Sequence, residues 1–322
     1  MTLLYYNPQF LNHETGAHPE NAGRLRAILG RLEADRLLER CERPPWEAAP
    51  SALLTSLHGV DYLASLREMA GRGGGQVDGD TIVSSESLHV AALAAGAACD
   101  AARRVVEGEA RRALCLVRPP GHHALKDRAM GFCLLGNVAL AARYALDELG
   151  LDRVLIVDWD VHHGNGTQDL FYEDPRVAFF SMHRFPFWPG SGAEGETGAG
   201  DGLGFTKNLP VQFGASQDRQ LSWFARELGD FADKVRPQLV IVSAGFDSHR
   251  LDPIGGLGLE SADFIDLTAT VMDVAAAHAG GRLVSVLEGG YHPDALAESV
   301  ALHLGELLER DADEAADEQR LR

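Results

Sequence analysis

Five short apolar runs, each closing on a cluster of acids and imidazoles, constrain this chain more than any other feature. They are RALCLVRPPGHH (112–123), DRVLIVDWDVHH (152–163), RVAFFSMHR (176–184), PQLVIVSAGFDSH (237–249) and GRLVSVLEGGYH (281–292). None alternates with polar residues, which is how a strand buried on both faces reads. Between them the spacing predicts helices over 135–149, 216–235, 261–279 and 293–308. Pro293 at a first turn, Ser216 and Ser261 near N-caps, and Gly150 and Gly280 at C-terminal ends punctuate these helices. The N-terminal third adds TLLYYN as a strand and helices near 20–36, 59–70 and 86–106. Strand–helix–strand repetition predicts an α/β fold with a central, mostly parallel sheet and helices on both faces. Residues 1–308 read as a single domain and residues 309–322 as an acidic C-terminal tail, frayed or disordered. The glycine cluster at 71–75 reads as a flexible surface loop. The run 186–204, with seven glycines, reads as one long loop of the kind that carries function.

Composition narrows the classes of partner. Of 322 residues, 45% are hydrophobic and 24% charged, as in ordinary globular proteins. Lys and Arg number 29 against 47 Asp and Glu, a net charge of −18 that repels phosphate backbones and argues against a nucleic-acid partner. The same charge attracts basic ligands. The start carries no basic region followed by an apolar run, and no window is apolar enough to span a membrane. Four cysteines without a Cys-x-x-Cys pair read as reduced thiols, so the expected location is cytoplasmic.

In a parallel sheet the ligand site lies beyond the carboxyl ends of the strands. The clusters there supply His122, His123, Asp158, Asp160, His162, His163, His183, Asp247, His249, Glu288, Tyr291 and His292. In an extended segment Asp158, Asp160 and His162 share a face. Carboxylate plus imidazole, with no thiolate near, suits Zn²⁺ at a catalytic site, and the same donors accept Fe²⁺ or Co²⁺. Asp247, at another strand end, is the natural third ligand. Two carboxylates nearly neutralise the ion, so a bound water needs a general base. The tandem His122-His123 offers one. Each imidazole needs its own partner, and Asp158 and Asn165 can serve differently, since an ionised Asp raises the pKa of a partner and a neutral Asn does not. Tyr291, after Gly289-Gly290, can swing a phenol over the site and donate to an oxyanion.

These residues carry a resemblance. RPPGHHA (118–124), GFC (131–133), DWDVHHGNGTQ (158–168), SAGFDSH (243–249) and LEGGY (287–291) are similar, in order and spacing, to motifs of the zinc-dependent histone deacetylase family. HPENAGRL (18–25) resembles its first loop, and Asn165 resembles the class II branch and its bacterial relatives. The resemblance spans nearly the whole chain. It implies an arginase/deacetylase-like fold and hydrolysis of an N-acyl amine. It implies zinc on Asp160, His162 and Asp247, Asp158 behind His122, Asn165 behind His123, His123 as proton shuttle and Tyr291 as oxyanion donor. For the acyl-lysine tunnel it implies walls from Phe132 and Trp188, with Gly131 and Gly289 beside them, and Asp80 at the rim. It also implies structural K⁺ or Na⁺, one ion on Asp158, Asp160, His162, Ser181 and Met182, another on Phe171, Asp174 and Val177.

Two positions point in opposite directions on substrate. Trp188 stands where most relatives have Phe, and Trp there occurs in a polyamine-deacetylating member. In that member the residue after Asp-Pro is acidic, whereas here it is Ile254, which cannot ion-pair with a second ammonium. The favoured expectation is therefore removal of acetyl or another short acyl group from a lysine of a protein or peptide. The alternatives are an acetylpolyamine deacetylase acting on an acylated small amine, and a non-catalytic acyl-lysine binding module. The complete set of ligands, His pair and Tyr291 argues against the module.

Overall fold

The computed structural model describes residues 1–320. Its elements run, in chain order, β1 (Thr2–Tyr5), α1 (Gly23–Ala34), α2 (Ser51–Leu54), α3 (Val60–Gly71), β2 (Gly74–Asp78), β3 (Thr81–Ser84), α4 (Ser87–Glu107), β4 (Arg112–Cys115) and α5 (Asn137–Asp147). The second half continues with β5 (Val154–Asp158), α6 (Asn165–Phe171), β6 (Val177–Arg184), β7 (Thr206–Val211), α7 (Gln217–Val235), β8 (Leu239–Ala244), α8 (Asp263–Ala279), β9 (Leu283–Leu287) and α9 (Pro293–Arg320).

The five apolar runs became β4, β5, β6, β8 and β9. They join β1 and β7 in a seven-stranded sheet of order β1-β4-β9-β8-β5-β6-β7, parallel at every pairing. Burial on both faces explains the unbroken apolar character of β5, β8 and β9, every residue of which is buried. Helices α4 and α5 pack together over β4, β9, β5 and β8, while α7, α8 and α9 form a second row packed on the sheet. The register puts Asp158 opposite Ser243 and Ala244 opposite Leu287. The ends of β5, β8 and β9 therefore lie side by side, and the polar clusters leave the sheet at one level.

Three expectations change. The glycines at 71–75 are not simply a loop, because Gly74–Asp78 pairs antiparallel with Thr81–Ser84. A tight turn makes this hairpin, with Gly79 N–H donating to Asp78 and Gln76 Nε2 to the Gly79 carbonyl. Strand β7 was not legible, since TKNLPV is polar and contains Pro210; the sheet tolerates this because β7 is an edge. The opposite edge, β1, is met by the segment at Glu42, with Leu4 N–H bonding the Glu42 carbonyl at 2.8 Å. Finally, the last helix does not stop at residue 308. It runs to Arg320, because Asp311 and Glu314 pair with Arg112, which is buried at the start of β4. Residues 321 and 322 of the expected tail lie outside the described residues. Among the described residues no helix is long and apolar enough to cross a membrane.

Below the site the floor is polar and buried. His303 of α9 shares hydrogen bonds with Thr268 (2.6 Å) and Ser285 (2.9 Å) and packs against Trp159 and Phe246. Burial lowers its pKa to about 3. Burial likewise lowers His13, to about 4, against a smaller opposing pull from Glu20. Each imidazole therefore binds its proton less readily folded than unfolded. Stability is complete above the unfolded value near 6.5 and is lost as pH falls below it, by roughly 1.4 kcal/mol per pH unit and per group. The contribution of these two imidazoles to the denaturant midpoint should accordingly fall between about pH 6.5 and 5. His303→Gln should flatten that slope; an unchanged slope would show that His303 takes up its proton without unfolding.

Candidate active site

The densest constellation stands where β5 and β8 end. Asp160, His162 and Asp247 offer one ligand atom each, all within 4.8 Å of one another and all buried. His162 Nδ1 lies 3.1 Å from Asp160 Oδ1 and 3.0 Å from Asp247 Oδ2. Backbone amides hold the carboxylates in place: Val161 N–H donates to Asp247 Oδ1 (2.8 Å) and Gly289 N–H to Asp160 Oδ2 (2.9 Å). Burial alone would lower His162, but its hydrogen bonds to the two acids lift it to about 10. Asp247 is pushed up to about 7 by burial and by Asp160. The pocket is thus short of positive charge, a shortage that a proton or a divalent cation removes. Oxygen and nitrogen donors without a thiolate fit zinc at a catalytic site. A second trio, His122, Cys133 and Glu288, is equally close. It suits an ion less well: His122 Nδ1 is already bonded to Asp158, and burial raises the Cys133 thiol far above its usual range.

The adjacent imidazoles have the two different partners anticipated. His122 Nδ1 meets Asp158 Oδ2 at 2.9 Å, and His123 Nδ1 meets Asn165 Oδ1 at 2.7 Å. Burial opposes charge on both. For His122 the carboxylates of Asp158 and Asp160 outweigh burial and raise it to about 10. For His123 burial, reinforced by His122 and His162, wins and drives it well below its ordinary value. The two rings, with centroids 3.9 Å apart, are thus pushed in opposite directions. Glu288 fixes the turn that presents them, accepting from Gly121 N–H (2.6 Å) and His122 N–H (3.2 Å).

Tyr291 is half-buried beside Phe132, the ring centroids 5.6 Å apart. Trp188, 40% exposed, meets His123 edge-on at 4.7 Å. Phe132 and Trp188 therefore stand beside Tyr291 and His123 respectively. Gly131 makes this packing feasible: a β-carbon there would come within 2.4 Å of His123 Cδ2 and 2.6 Å of Trp188 Cη2. Asp80 sits in the hairpin turn next to Thr81, whose hydroxyl accepts from Phe132 N–H at 3.1 Å. Ile254 is half-buried in a turn laid against Asp247. Ser181 lies opposite Asp158 in the β5–β6 register, with Met182 the next residue of β6. Phe171, Asp174 and Val177 lie on the turn from α6 into β6.

Not every strand-end residue joins the site. His163 bonds Ser191 and Gln168, and His183 bonds the Gly192 carbonyl, so both tether the long loop that carries Trp188. His249 turns to Ser261, and His292 accepts from Ala295 N–H at the start of α9. Other contributors escaped sequence reasoning. Buried Arg24 of α1 donates to the carbonyls of Glu288 and Gly290 and lies 5.0 Å from the centre of the Tyr291 ring. Glu20 bridges Arg24 and Arg118. Phe187 stacks on His162 at 5.3 Å. The only hint was HPENAGRL itself, where a charged pair lies in a motif that reads as a loop.

Residues 18–307 match the sequence profile of the histone deacetylase domain. The chain belongs to the histone deacetylase family. Among similar proteins, the histone deacetylase-like amidohydrolase of Pseudomonas aeruginosa is 40% identical over 85% of this chain and 71% of its own length. The polyamine deacetylase HDAC10 of Homo sapiens is 42% identical over 90% of this chain and 44% of its own length. A crystal structure of the HDA15 HD domain superposes with a TM-score of 0.88 at 33% identity, covering 95% of this chain and 90% of that one. This histone deacetylase family member is thus a hydrolase of amide bonds, from a zinc-dependent family, with a histone deacetylase fold.

Gly289 tests the donor cluster. A β-carbon there would lie 2.4 Å from Asp247 Oδ2 and 2.5 Å from Asp160 Oδ2. Gly289→Ala should displace a carboxylate and weaken retention of a divalent metal by at least about tenfold, the scale on which ligand geometry sets affinity. Elemental analysis after dialysis reads this directly; retention equal to wild type would mean the metal sits elsewhere.

Proposed function

We propose that this chain removes acetyl or another short acyl group from a lysine side chain of a protein or peptide. The observation carrying this reading is the pair of touching imidazoles with unlike partners, set beside an oxygen–nitrogen donor trio. A zinc ion held by Asp160, His162 and Asp247 would supply Lewis-acid polarisation of the acyl oxygen and of water; the same donors would serve Fe²⁺ or Co²⁺. The chain's own residues do the rest. Neutral His123, oriented by Asn165, takes a proton from the attacking water and returns one to the departing amine. Charged His122, paired with Asp158, adds a fixed positive charge beside the developing oxyanion. Tyr291 donates its phenolic hydrogen to that oxygen. Phe132 and Trp188, closed in by Gly131 and Gly289, hold the lysine methylenes, and Asp80 at the hairpin turn accepts backbone N–H groups of the substrate. K⁺ or Na⁺ ions on the carbonyls around Asp158, Ser181 and Met182, and around Phe171, Asp174 and Val177, belong to the same reading. The four free thiols support a reducing compartment such as the cytoplasm.

A second reading, deacetylation of acylated polyamines, draws support from the human relative named a polyamine deacetylase, from Trp188 and from the net charge of −18. The gate favours the first reading. Both substrate classes gain roughly 0.8 kcal/mol per buried methylene. A polyamine must in addition bring a free ammonium beside Ile254, which has no charge to pair with it. Long-range attraction from the acidic surface is screened by salt.

Two measurements follow from this site. Tyr291→Phe should keep its fold and metal yet lose about two to three orders of magnitude in kcat, the usual consequence of removing an oxyanion donor. Near-normal turnover with metal content confirmed would remove Tyr291 from the chemistry. At physiological ionic strength kcat/KM should favour an acetyl-lysine peptide over acetylputrescine and acetylspermidine, and Ile254→Glu should narrow or reverse that order. A polyamine preference in the unaltered enzyme would make the second reading correct.

A further inference from the structure

The segment that follows Asp247 folds back on itself through one carboxylate. Asp252 Oδ1 accepts the N–H groups of Ile254 and Gly255, each at 2.9 Å. These two bonds close an ordinary Asx-type turn. The other oxygen does something the turn does not require. Asp252 Oδ2 accepts Tyr291 N–H at 2.7 Å, from a residue 39 positions further along the chain. The same side chain therefore grips the backbone of the gate residue and the backbone of the phenol donor.

The surroundings make this grip consequential. The gate turn is held rigidly from its other side: Gly256 N–H bonds the Asp247 carbonyl at 2.7 Å, and Arg184 Nη1 bonds the Gly255 carbonyl at 3.1 Å. Arg184 is itself wedged between Phe187 and Phe213, 4.1 and 4.5 Å from their ring centres, and Phe187 stacks on His162. Tyr291, by contrast, follows Gly290, whose φ of +119° gives it a backbone that few other residues adopt. Arg24 holds the Gly290 carbonyl, but Asp252 is what receives the amide of Tyr291 itself. The Tyr291 hydroxyl makes no hydrogen bond among the described residues, so nothing at its tip fixes the ring.

We propose that Asp252 is a positioning residue that ties substrate selection to catalysis, setting the place of the Ile254 gate and of the Tyr291 phenol together. This rests on the reading of Tyr291 as oxyanion donor and Ile254 as gate. A carboxylate with charge-assisted bonds on both sides makes the two move as one body. Residues that crowd the gate are then felt in kcat as well as in KM.

The test is a double-mutant cycle on holoenzyme. Asp252→Asn keeps one oxygen for the turn and replaces the other with an NH₂ group that cannot accept from Tyr291. It should retain metal and leave KM for acetyl-lysine peptide nearly unchanged, while kcat falls about tenfold, within the range a small misplacement costs. In a Tyr291→Phe background the same change should cost less than about twofold, because the hydroxyl it positions is gone. Asp252→Ala, which loses the turn as well, should also alter the ratio of peptide to acetylspermidine turnover. Equal costs of Asp252→Asn in both backgrounds, or no cost in either, would overturn the coupling. If Asp252→Asn fails to fold, Asp252→Glu, with its displaced carboxylate, is read in the same cycle by the same criterion. A wild type that hydrolyses neither substrate would sink the reading of the site and this inference with it. An active wild type with additive costs would sink the coupling alone.

Discussion

Negative charge buried at the ends of the central strands is the constraint around which this molecule is arranged. Asp158, Asp160, Asp247 and Glu288 are each at most 1% exposed. Carboxylates withdrawn from water this far must be paired or bonded on nearly every lone pair. The parallel sheet meets part of that demand, because chain leaving a strand end turns its amides inward. Asp160 N–H serves Asp158, His162 N–H serves Asp160, Val161 N–H serves Asp247, and Gly121 and His122 serve Glu288. What amides cannot supply is net positive charge. Two imidazoles provide some, His122 against Asp158 and His162 between Asp160 and Asp247. The geometry that would hold a cation and the geometry that keeps the fold from rejecting its own acids are the same geometry.

Around that centre the chain recruits support from far away in sequence. Arg24 comes from the first helix to clamp the carbonyls of Glu288 and Gly290, and Glu20 binds Arg24 to Arg118 at the start of the histidine turn. Arg118 outweighs the cost of burying Glu20 and holds its carboxyl down near 2, so the bridge stays ionised through the physiological range. The histidine turn and the tyrosine loop, which belong to different strands, are thus braced on a common arginine–glutamate–arginine link. Burial of such a network gives little net stability but fixes relative position.

Much of this was legible before any fold was known, and the divide is physical. Asp158, Asp160, His162, His122 and Asn165 lie close in sequence or directly after apolar runs, so a period-of-two argument and strand-end logic reach them. Asp247 and Tyr291 follow from the same logic applied to β8 and β9. Strand β2 was missed because the glycines at 71–75, read as a loop, conceal pairing potential, and β7 was missed because an edge strand need not be apolar. Arg24, Arg184, Phe187 and Asp252 act through partners that no spacing rule connects. The acidic end of α9 looked like a solvated tail, and only the buried Arg112 explains why it stays helical.

The two edges of the sheet have a bearing on how copies of this molecule can meet. A parallel sheet with a bare border invites another strand to add to it and grow into a shared sheet. Here one border is met by the backbone at Glu42, which bonds the Leu4 N–H and the Thr2 carbonyl of β1. The other border places Pro210, with no N–H to give, and Lys207, paired to Glu227, on β7. Strand addition is thus opposed at both borders of this sheet. A partner strand would find the seven-stranded sheet guarded at both borders, so contacts made elsewhere on the surface leave undisturbed the ladder beneath the Asp160–His162–Asp247 cluster.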